Sequence, residues 1–324
     1  MRSAAIDIGS NSIRLLVAEF PNGCDDRLVT VARAGEPCRL GRGLGASGII
    51  DPATAERAAD LAASFASRAR SLGATRLLVA ATAAMRSAAN GNEVAGLIGV
   101  RCGVPVRILT GQDEARLMYG AVITGLGRAV RDSSCVVFDL GGGSTEVVSG
   151  VGQRAGRWVS LPFGAVSLTE RHLHSNPPGS GEIEQLRAGI ESLIMHECAY
   201  MPPRTAVLAG VGGTVTVLAM LDRKLRAYDP ARLEGWGIPV ERLTELTRRI
   251  CTTTQEERRR WPAMGEGRAD IVVAGVLVVQ ALMERFPAPM LVCSTQGLRY
   301  GLVREAARVD QGDTSGARPN PETP

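Results

Sequence analysis

The sequence predicts an α/β protein of two duplicated halves that face each other across a central cleft. The first observation is a repeat. Ile6-Asp7-Ile8-Gly9-Ser10-Asn11-Ser12-Ile13-Arg14-Leu15-Leu16-Val17 returns, 139 − 7 = 132 residues later, as Phe138-Asp139-Leu140-Gly141-Gly142-Gly143-Ser144-Thr145-Glu146-Val147-Val148-Ser149. The second lies in the residues just after the glycines. A Rossmann or P-loop turn runs into a helix, whereas Thr145-Glu146-Val147-Val148 is β-branched and reads as a returning strand. The third is the alternation of strand and helix patterns through the rest of each half.

Taken in order, the first copy is the more ambiguous. Ile13, Leu16, Val17 and Phe20 also fit a helical stripe, but Pro21-Asn22-Gly23 is a hairpin signal leading into Leu28-Val29-Thr30-Val31, so this copy too reads as strand-turn-strand. Asp51-Pro52 supplies an N-cap and N1 pair for an Ala-rich helix with Leu61, Phe65, Ala69 and Leu72 on one face, stopped at Gly73. A buried strand at 76–82, a short helix at 92–101, a strand at 104–109 and a helix at 112–125 complete the first half. The second half opens at Ser134, with strands at 136–139, 145–151 and 157–161 and a helix at 182–199. A strand at 205–209 then leads through the glycine run Gly210-Val211-Gly212-Gly213-Thr214 into a helix at 215–221. Helices at 239–251 and 268–286, a strand at 290–293 and a last helix from Gly297 come next. Domain boundaries are expected at 1–124 and 125–298, with the last helix (about 299–309) packing back on the first domain and a solvated tail over 310–324 that lacks apolar residues.

The chemistry of the turns is that of anion binding. Glycine lets backbone N–H groups approach an anion closely, and successive N–H groups form a nest. Ser12 and Ser144 add hydroxyl donors. Asp7 and Asp139, each closing a first strand, cannot favour bare phosphate by charge and so are candidates for holding Mg²⁺ or its waters. The run at 210–214 meets a helix N-terminus, which also favours an anion. It lacks the third glycine of a dinucleotide fingerprint.

Composition narrows the classes. A chain of 324 residues, 45% hydrophobic and 22% charged, is long enough for two cores. Met1 to Ala5 runs directly into a strand and Ile271 to Leu282 is too short to span a bilayer, so neither a secretory signal nor a membrane segment is expected, and a cytoplasmic protein is. The cysteines at 24, 38, 102, 135, 198, 251 and 293 form no C-x-x-C pair, which indicates buried thiols rather than disulfides or zinc. His172 and His174, at i, i+2, would share one face of a strand but lack a third ligand. A net charge of +4 and 4% aromatics argue against a nucleic-acid platform. Lys224 is the only lysine, and Arg forks suit phosphate oxygens.

Beyond the turns, Ala81-Thr82-Ala83-Ala84-Met85-Arg86, Gly111-Gln112-Asp113-Glu114-Ala115-Arg116, Gly212-Gly213-Thr214, Gly267-Arg268-Ala269-Asp270 and Gly297-Leu298-Arg299 occur in order. Together with the two turns they resemble the exopolyphosphatase and guanosine pentaphosphate phosphohydrolase (Ppx/GppA) family of the actin, sugar kinase and Hsp70 superfamily, over residues 5 to about 305. The resemblance implies two ribonuclease H-like, actin-like ATPase domains. It also implies Mg²⁺-dependent hydrolysis of a terminal phosphoanhydride, in inorganic polyphosphate or at the 5′ end of guanosine pentaphosphate. The length is that of the short, two-domain members, which implies shorter substrate chains, and a homodimer is implied too.

The matching positions carry the roles. Glu114 falls on the family's catalytic glutamate, which aligns water for in-line attack; locally, Thr110-Gly111-Gln112-Asp113 also reads as a capping box. Asp139 and Glu146 are the implied metal-side carboxylates, with Asp7 reaching the metal through water. Gly9, Ser10, Asn11 and Ser12 form one phosphate clamp, and Gly141, Gly142, Gly143 and Ser144 the other, with Gly212, Gly213 and Thr214 as further phosphate donors. Arg86 and Arg268 match basic positions near the phosphate chain. Arg14 stands where the second copy has Glu146, and its role is open. A non-catalytic sensor of guanosine tetra- or pentaphosphate is the alternative; a kinase of the superfamily would need an ATP site and an acceptor pocket.

Overall fold

The structure is a computed structural model that describes residues 1–21, 28–130, 132–265 and 267–308. The Asn22-Gly23 turn, Cys24 and the tail over 310–324 lie outside the described residues.

The first half opens with a meander of β1 (Arg2–Ile8), β2 (Ser12–Glu19) and β3 (Val29–Pro37). Antiparallel pairing sets Asp7 opposite Arg14 and Ile8 opposite Ile13. A short α1 (Leu44–Ser47) precedes α2 (Pro52–Ser71). Asp51 caps α2 by accepting from Thr54 N–H at 2.9 Å, satisfying one of its orphan donors. Its buried face is Ala55, Ala58, Ala59, Ala62, Phe65, Ala66 and Ala69, small enough to bring the helix close to the sheet, while Leu61 and Leu72 are only half-buried beside it. β4 (Arg76–Ala81), α3 (Ala83–Ser87), α4 (Gly91–Cys102), β5 (Val106–Ile108) and α5 (Gly111–Leu126) complete the half. β4 runs parallel to β1 and β5 parallel to β4, giving the order β3-β2-β1-β4-β5.

The second half repeats this plan. β6 (Ser134–Leu140), β7 (Thr145–Val151) and β8 (Arg154–Leu161) form the meander, with Asp139 opposite Glu146. Then come α6 (Ala165–His172), α7 (Ser180–Glu197), β9 (Val207–Gly212), α8 (Gly213–Asp222), α9 (Pro230–Leu233), β10 (Trp236–Pro239), α10 (Val240–Thr252), α11 (Gln255–Arg259), α12 (Val272–Arg285), β11 (Met290–Cys293) and α13 (Leu298–Arg308). The order β8-β7-β6-β9-β11 matches the first sheet strand for strand, and β10 adds an antiparallel edge.

Two readings of the sequence are corrected. The strand expected at 205–209 runs on through Gly212, pairing Phe138 with Gly210 and Leu140 with Gly212. Gly210 is therefore not part of a turn. A Cβ there would stand 2.5 Å from the Phe138 ring, so the residue is small because an aromatic side chain lies over it. The actual turn is at Gly212, whose φ of 108° is open to glycine. Second, His172 ends α6 and His174 lies beyond it, so the pair shares no strand. The boundary expected at 124 falls near the end of α5. Ala115, Met118, Tyr119, Val122 and Ile123 of α5 pack on Val137, Val148 and Val211 of the second sheet. Its Leu117 and Ala121 meet α13, which in turn covers Ala5, Leu16 and Ala80 of the first. The halves thus exchange helices, and α5 and α13 lie against each other between the sheets. A Cβ at Gly301 would fall 2.4 Å from the Leu117 carbonyl oxygen, so this crossing is closer than side chains would allow. The six described cysteines are free and buried.

Candidate active site

Both turns are built by the same backbone bond. Gly9 N–H donates to Ser12 O, and Gly141 N–H to Ser144 O, each at 3.0 Å. Other segments hold each turn in place. Cys38 and Arg39 N–H both donate to Asn11 O at 2.9 Å, and Gly41 N–H donates to Ser10 O at 2.8 Å. In the second turn Gly141 O accepts from Ala165 N–H, and Gly142 O from Val166 and Ser167 N–H, at the start of α6. The turns approach each other across the cleft. A Cβ on Gly142 would be 3.3 Å from Asn11 Cβ, and one on Gly143 3.7 Å from Ser10 Oγ. The two glycine turns therefore stand within a few ångströms of each other, one from each half. Ser12 Oγ accepts from Arg14 Nε at 3.1 Å, which leaves its own O–H free to donate.

Four carboxylates gather beside the turns. Asp7 and Asp139 end equivalent strands, Glu146 is the cross-strand partner of Asp139, and Glu114 enters from the first turn of α5. Burial pushes all four up in pKa. For Glu146 the Asp139 charge adds to burial, and for Glu114 the Glu146 charge does, followed by Asp7 after the opposing pull of Arg86. Asp139 is raised to about 6 by burial, against the pull of Arg14. Asp7 is raised by burial against Arg14 and Arg299. Ser160 Oγ donates to Glu146 Oε1 at 2.9 Å. Asp139 has no hydrogen-bond donor among the described residues. Its carboxylate lies over two glycines: a Cβ on Gly212 would stand 3.4 Å from Oδ1, and one on Gly297 3.7 Å from Oδ2.

Glu114 is held from both sides. Arg86, projecting from α3, donates through one Nη1 to Glu114 Oε2 at 3.1 Å and to Leu109 O at 2.9 Å, fixing the guanidinium as well as the carboxylate. On the other side, Gly111 lets Trp158 of β8 close on the start of α5, since a Cβ there would lie 3.0 Å from the indole. The capping box is half formed. Thr110 Oγ1 accepts from Asp113 N–H at 3.1 Å, while the Asp113 carboxylate accepts from the Thr110 hydroxyl at 2.9 Å and pairs with Arg107 at 3.3 Å instead of reaching the Thr110 N–H. Asp113 is thus a cap and an ion-pair partner, and Glu114 alone of the two faces Glu146.

The basic side of the cleft holds Arg14, Arg268 and Arg299. None has an ion-pair partner among the described residues. Burial and the Arg14 charge lower the pKa of both Arg268 and Arg299, so the three crowd one another and together favour an anion. Arg268 lies on the Gly213 backbone, where a Cβ would be 3.2 Å from its Nε. Arg14, whose role the sequence leaves open, braces Ser12 and offsets Asp7 and Asp139. Arg299 is not singled out by the sequence reading, although it sits in the Gly297-Leu298-Arg299 motif; the available signal is an arginine in a first helical turn that is otherwise apolar. Thr214 differs from expectation. Its side chain is buried and packs on α12, where a Cβ at Gly275 would meet Thr214 Oγ1 at 2.3 Å, so it does not present a hydroxyl to the cleft.

Among the described residues no three His, Cys, Asp or Glu side chains converge into a closed metal cage. Mg²⁺ needs none, because it keeps several waters and binds through one or two carboxylates together with substrate phosphates. Glu146 is buried and Asp139 partly so, and neither makes an ion pair among the described residues, so their hard oxygens fit that mode.

Comparison with known proteins agrees in extent with this geometry. The model of the Ppx/GppA phosphatase family matches residues 16–308. The chain is 34% identical over 288 residues to exopolyphosphatase 2 of Mycobacterium tuberculosis, covering 87% of this chain and 89% of that one. It is 30% identical over 309 residues to exopolyphosphatase 1 of Mycobacterium bovis, covering 94% and 87%. The crystal structure of the Aquifex aeolicus member of the Ppx/GppA family superposes with a TM-score of 0.84 at 28% identity, over 97% of this chain and 99% of that one. The fold is thus the actin-like one those proteins share. No helix among the described residues is long and apolar enough to cross a membrane.

Proposed function

Because the chain belongs to the Ppx/GppA phosphatase family, we propose that it hydrolyses the terminal phosphoanhydride of inorganic polyphosphate, with water as the acceptor. The observation that carries the reading is Glu114: a buried carboxylate, fixed by Arg86 and facing Glu146 and Asp7 beside two converging phosphate-binding turns. The N–H groups of Gly142 and Gly143 hold the terminal phosphoryl group, those of Gly9 and Gly141 being spent inside their own turns, and Ser10 to Ser12 close the clamp from the other half. Gly212 and Gly213 contribute backbone only.

Glu114 orients a water molecule in line with the bond to be broken and accepts one of its protons. The water oxygen forms the new P–O bond, the bridging P–O bond breaks, and its electron pair leaves on the shortened chain. Its raised pKa suits Glu114 to take a proton near neutral pH. Arg86, Arg14, Arg268 and Arg299 offset the charge on the phosphate oxygens. Asp139 and Glu146 would hold Mg²⁺, with Asp7 behind, and the ion would supply charge neutralisation at the phosphoryl oxygens. The 5′ terminal phosphate of guanosine pentaphosphate presents the same anhydride and is included in the proposal. Phosphate release from polyphosphate and from guanosine pentaphosphate, with and without Mg²⁺, tests it; no release from either substrate would refute it and leave a binding protein.

A further inference from the structure

We propose that Trp158 is a positioning residue for the reaction, seating the first turn of α5 so that the Glu114 carboxylate stands against Glu146; this rests on the hydrolase reading above. The indole is large for its place. It stands 40% exposed on the edge strand β8. The other two tryptophans, Trp236 and Trp261, pack against the core of the second half, and each carries an arginine on its ring. Trp158 belongs to none of the hydrophobic clusters among the described residues, so core packing does not account for it. What it meets is the start of α5, where a Cβ on Gly111 would lie 3.0 and 3.2 Å from two atoms of the six-membered ring.

The strand is shaped to aim it. Trp158 pairs with Val148 and Ala155 with Gly150, so Gly156 and Arg157 together oppose Ser149 alone. That is a β-bulge, an extra residue that bends a strand and re-aims the side chains beside it. Gly156 permits it, since a Cβ there would lie 3.1 Å from Ser149 O, and Ser149 Oγ donates to Arg157 O at 3.3 Å within the gap. Beyond the bulge the ladder is regular, and residues opposite each other share a face. Val148 packs on α5, so Trp158 faces that helix too, and the next pair on the same face is Glu146 with Ser160. On α5, Gly111 and Glu114 are three residues apart and share a face as well. One strand therefore supports both carboxylates: Ser160 Oγ holds Glu146 directly, and Trp158 holds Glu114 through the helix turn. Arg86 reaches Glu114 from the first half, whereas Trp158 ties it to the half that carries Glu146.

The test is phosphate release from polyphosphate by Trp158→Ala and Trp158→Phe, with Trp158→Ala also placed in Glu114→Gln protein. Trp158→Ala is expected to lower kcat by about 10²-fold, the cost of a misplacement of about 1 Å, with KM unchanged. Trp158→Phe keeps a flat ring on Gly111 and should restore most of the loss. In the Glu114→Gln background the alanine should change nothing, because no carboxylate remains to be positioned. Gly111→Val reads the same contact from the helix side without touching β8, and should also lower kcat with KM unchanged. Wild-type kcat in Trp158→Ala or in Gly111→Val would overturn the inference and leave the hydrolase reading standing. So would an equal loss in the Glu114→Gln background, which marks a general effect on the fold, or a raised KM with kcat kept, which marks contact with the chain. No release by the wild-type protein would overturn both.

Discussion

Replacing Asp139 with Asn should make the ligand-free protein more stable at pH 8, and the pH dependence of that gain identifies its cause. Asp139 is partly buried and its pKa is raised from the ordinary 3.8 to about 6, because desolvation penalises the carboxylate more than Arg14 and Arg299 favour it. The folded state therefore holds a proton more tightly than the unfolded chain, and this group costs stability wherever it is ionised. Two pKa units correspond to about 3 kcal/mol. The cost is fully present above pH 6, shrinks as pH falls through the folded pKa, and is gone below 3.8. Urea unfolding of wild type and Asp139→Asn, in the presence of a chelator, should show the variant more stable by about 3 kcal/mol at pH 8 and equal near pH 4. For a chain of this length the gain at pH 8 is about 5 °C in Tm. A variant less stable than wild type at pH 8, or a difference that does not change with pH, would refute the reasoning. Loss of phosphate release in the same variant would show stability given up for function.

The same geometry sets further outcomes. Arg86→Ala frees the Glu114 carboxylate and should lower kcat about 10²-fold with KM little changed, and Arg86→Lys should not rescue it, because one Nη1 serves both Glu114 and Leu109 O. Since Glu114 must be ionised to accept a proton and its pKa is pushed well above the ordinary 4.5, kcat/KM should rise with pH along an acidic limb near neutrality rather than near pH 4.5; a limb at 4.5 would contradict the buried carboxylate cluster. Gly210→Ala places a methyl 2.5 Å from the Phe138 ring and should cost about 1–3 kcal/mol, read as a lowered urea midpoint.

Much of the fold is legible in the sequence because its signals are local. The Asp and glycine turn with β-branched residues after it specifies strand-turn-strand from within a dozen residues, and both copies fold that way. Glu114 is singled out by its motif, and the structure holds its carboxylate against Arg86. What escapes is long-range. Gly210 reads as a phosphate turn because nothing in the sequence places Phe138 over it; the same glycine serves close approach instead. The return of α13 to the first half is expected from the sequence, but the packing of α5 on the second sheet is hidden for a similar reason. α5 carries Leu117 and Ala121 on one face and Met118, Tyr119, Val122 and Ile123 on another, a wide apolar surface that says the helix is covered twice but not by what. β10 is missed because Trp236–Pro239 is four residues ending in proline, too short to show a period. Arg299 depends on α13 returning to the first sheet, so its approach to Asp7 appears only in three dimensions.

The proposed reaction stands or falls on Glu114 activating water against a phosphate chain held between the two turns. The decisive comparison is phosphate release from inorganic polyphosphate with Mg²⁺, wild type against Glu114→Gln. Steady release by wild type, at least about 10²-fold slower in the variant with chain binding retained, is the predicted result. Equal release by both proteins, or none by wild type, would be incompatible with it.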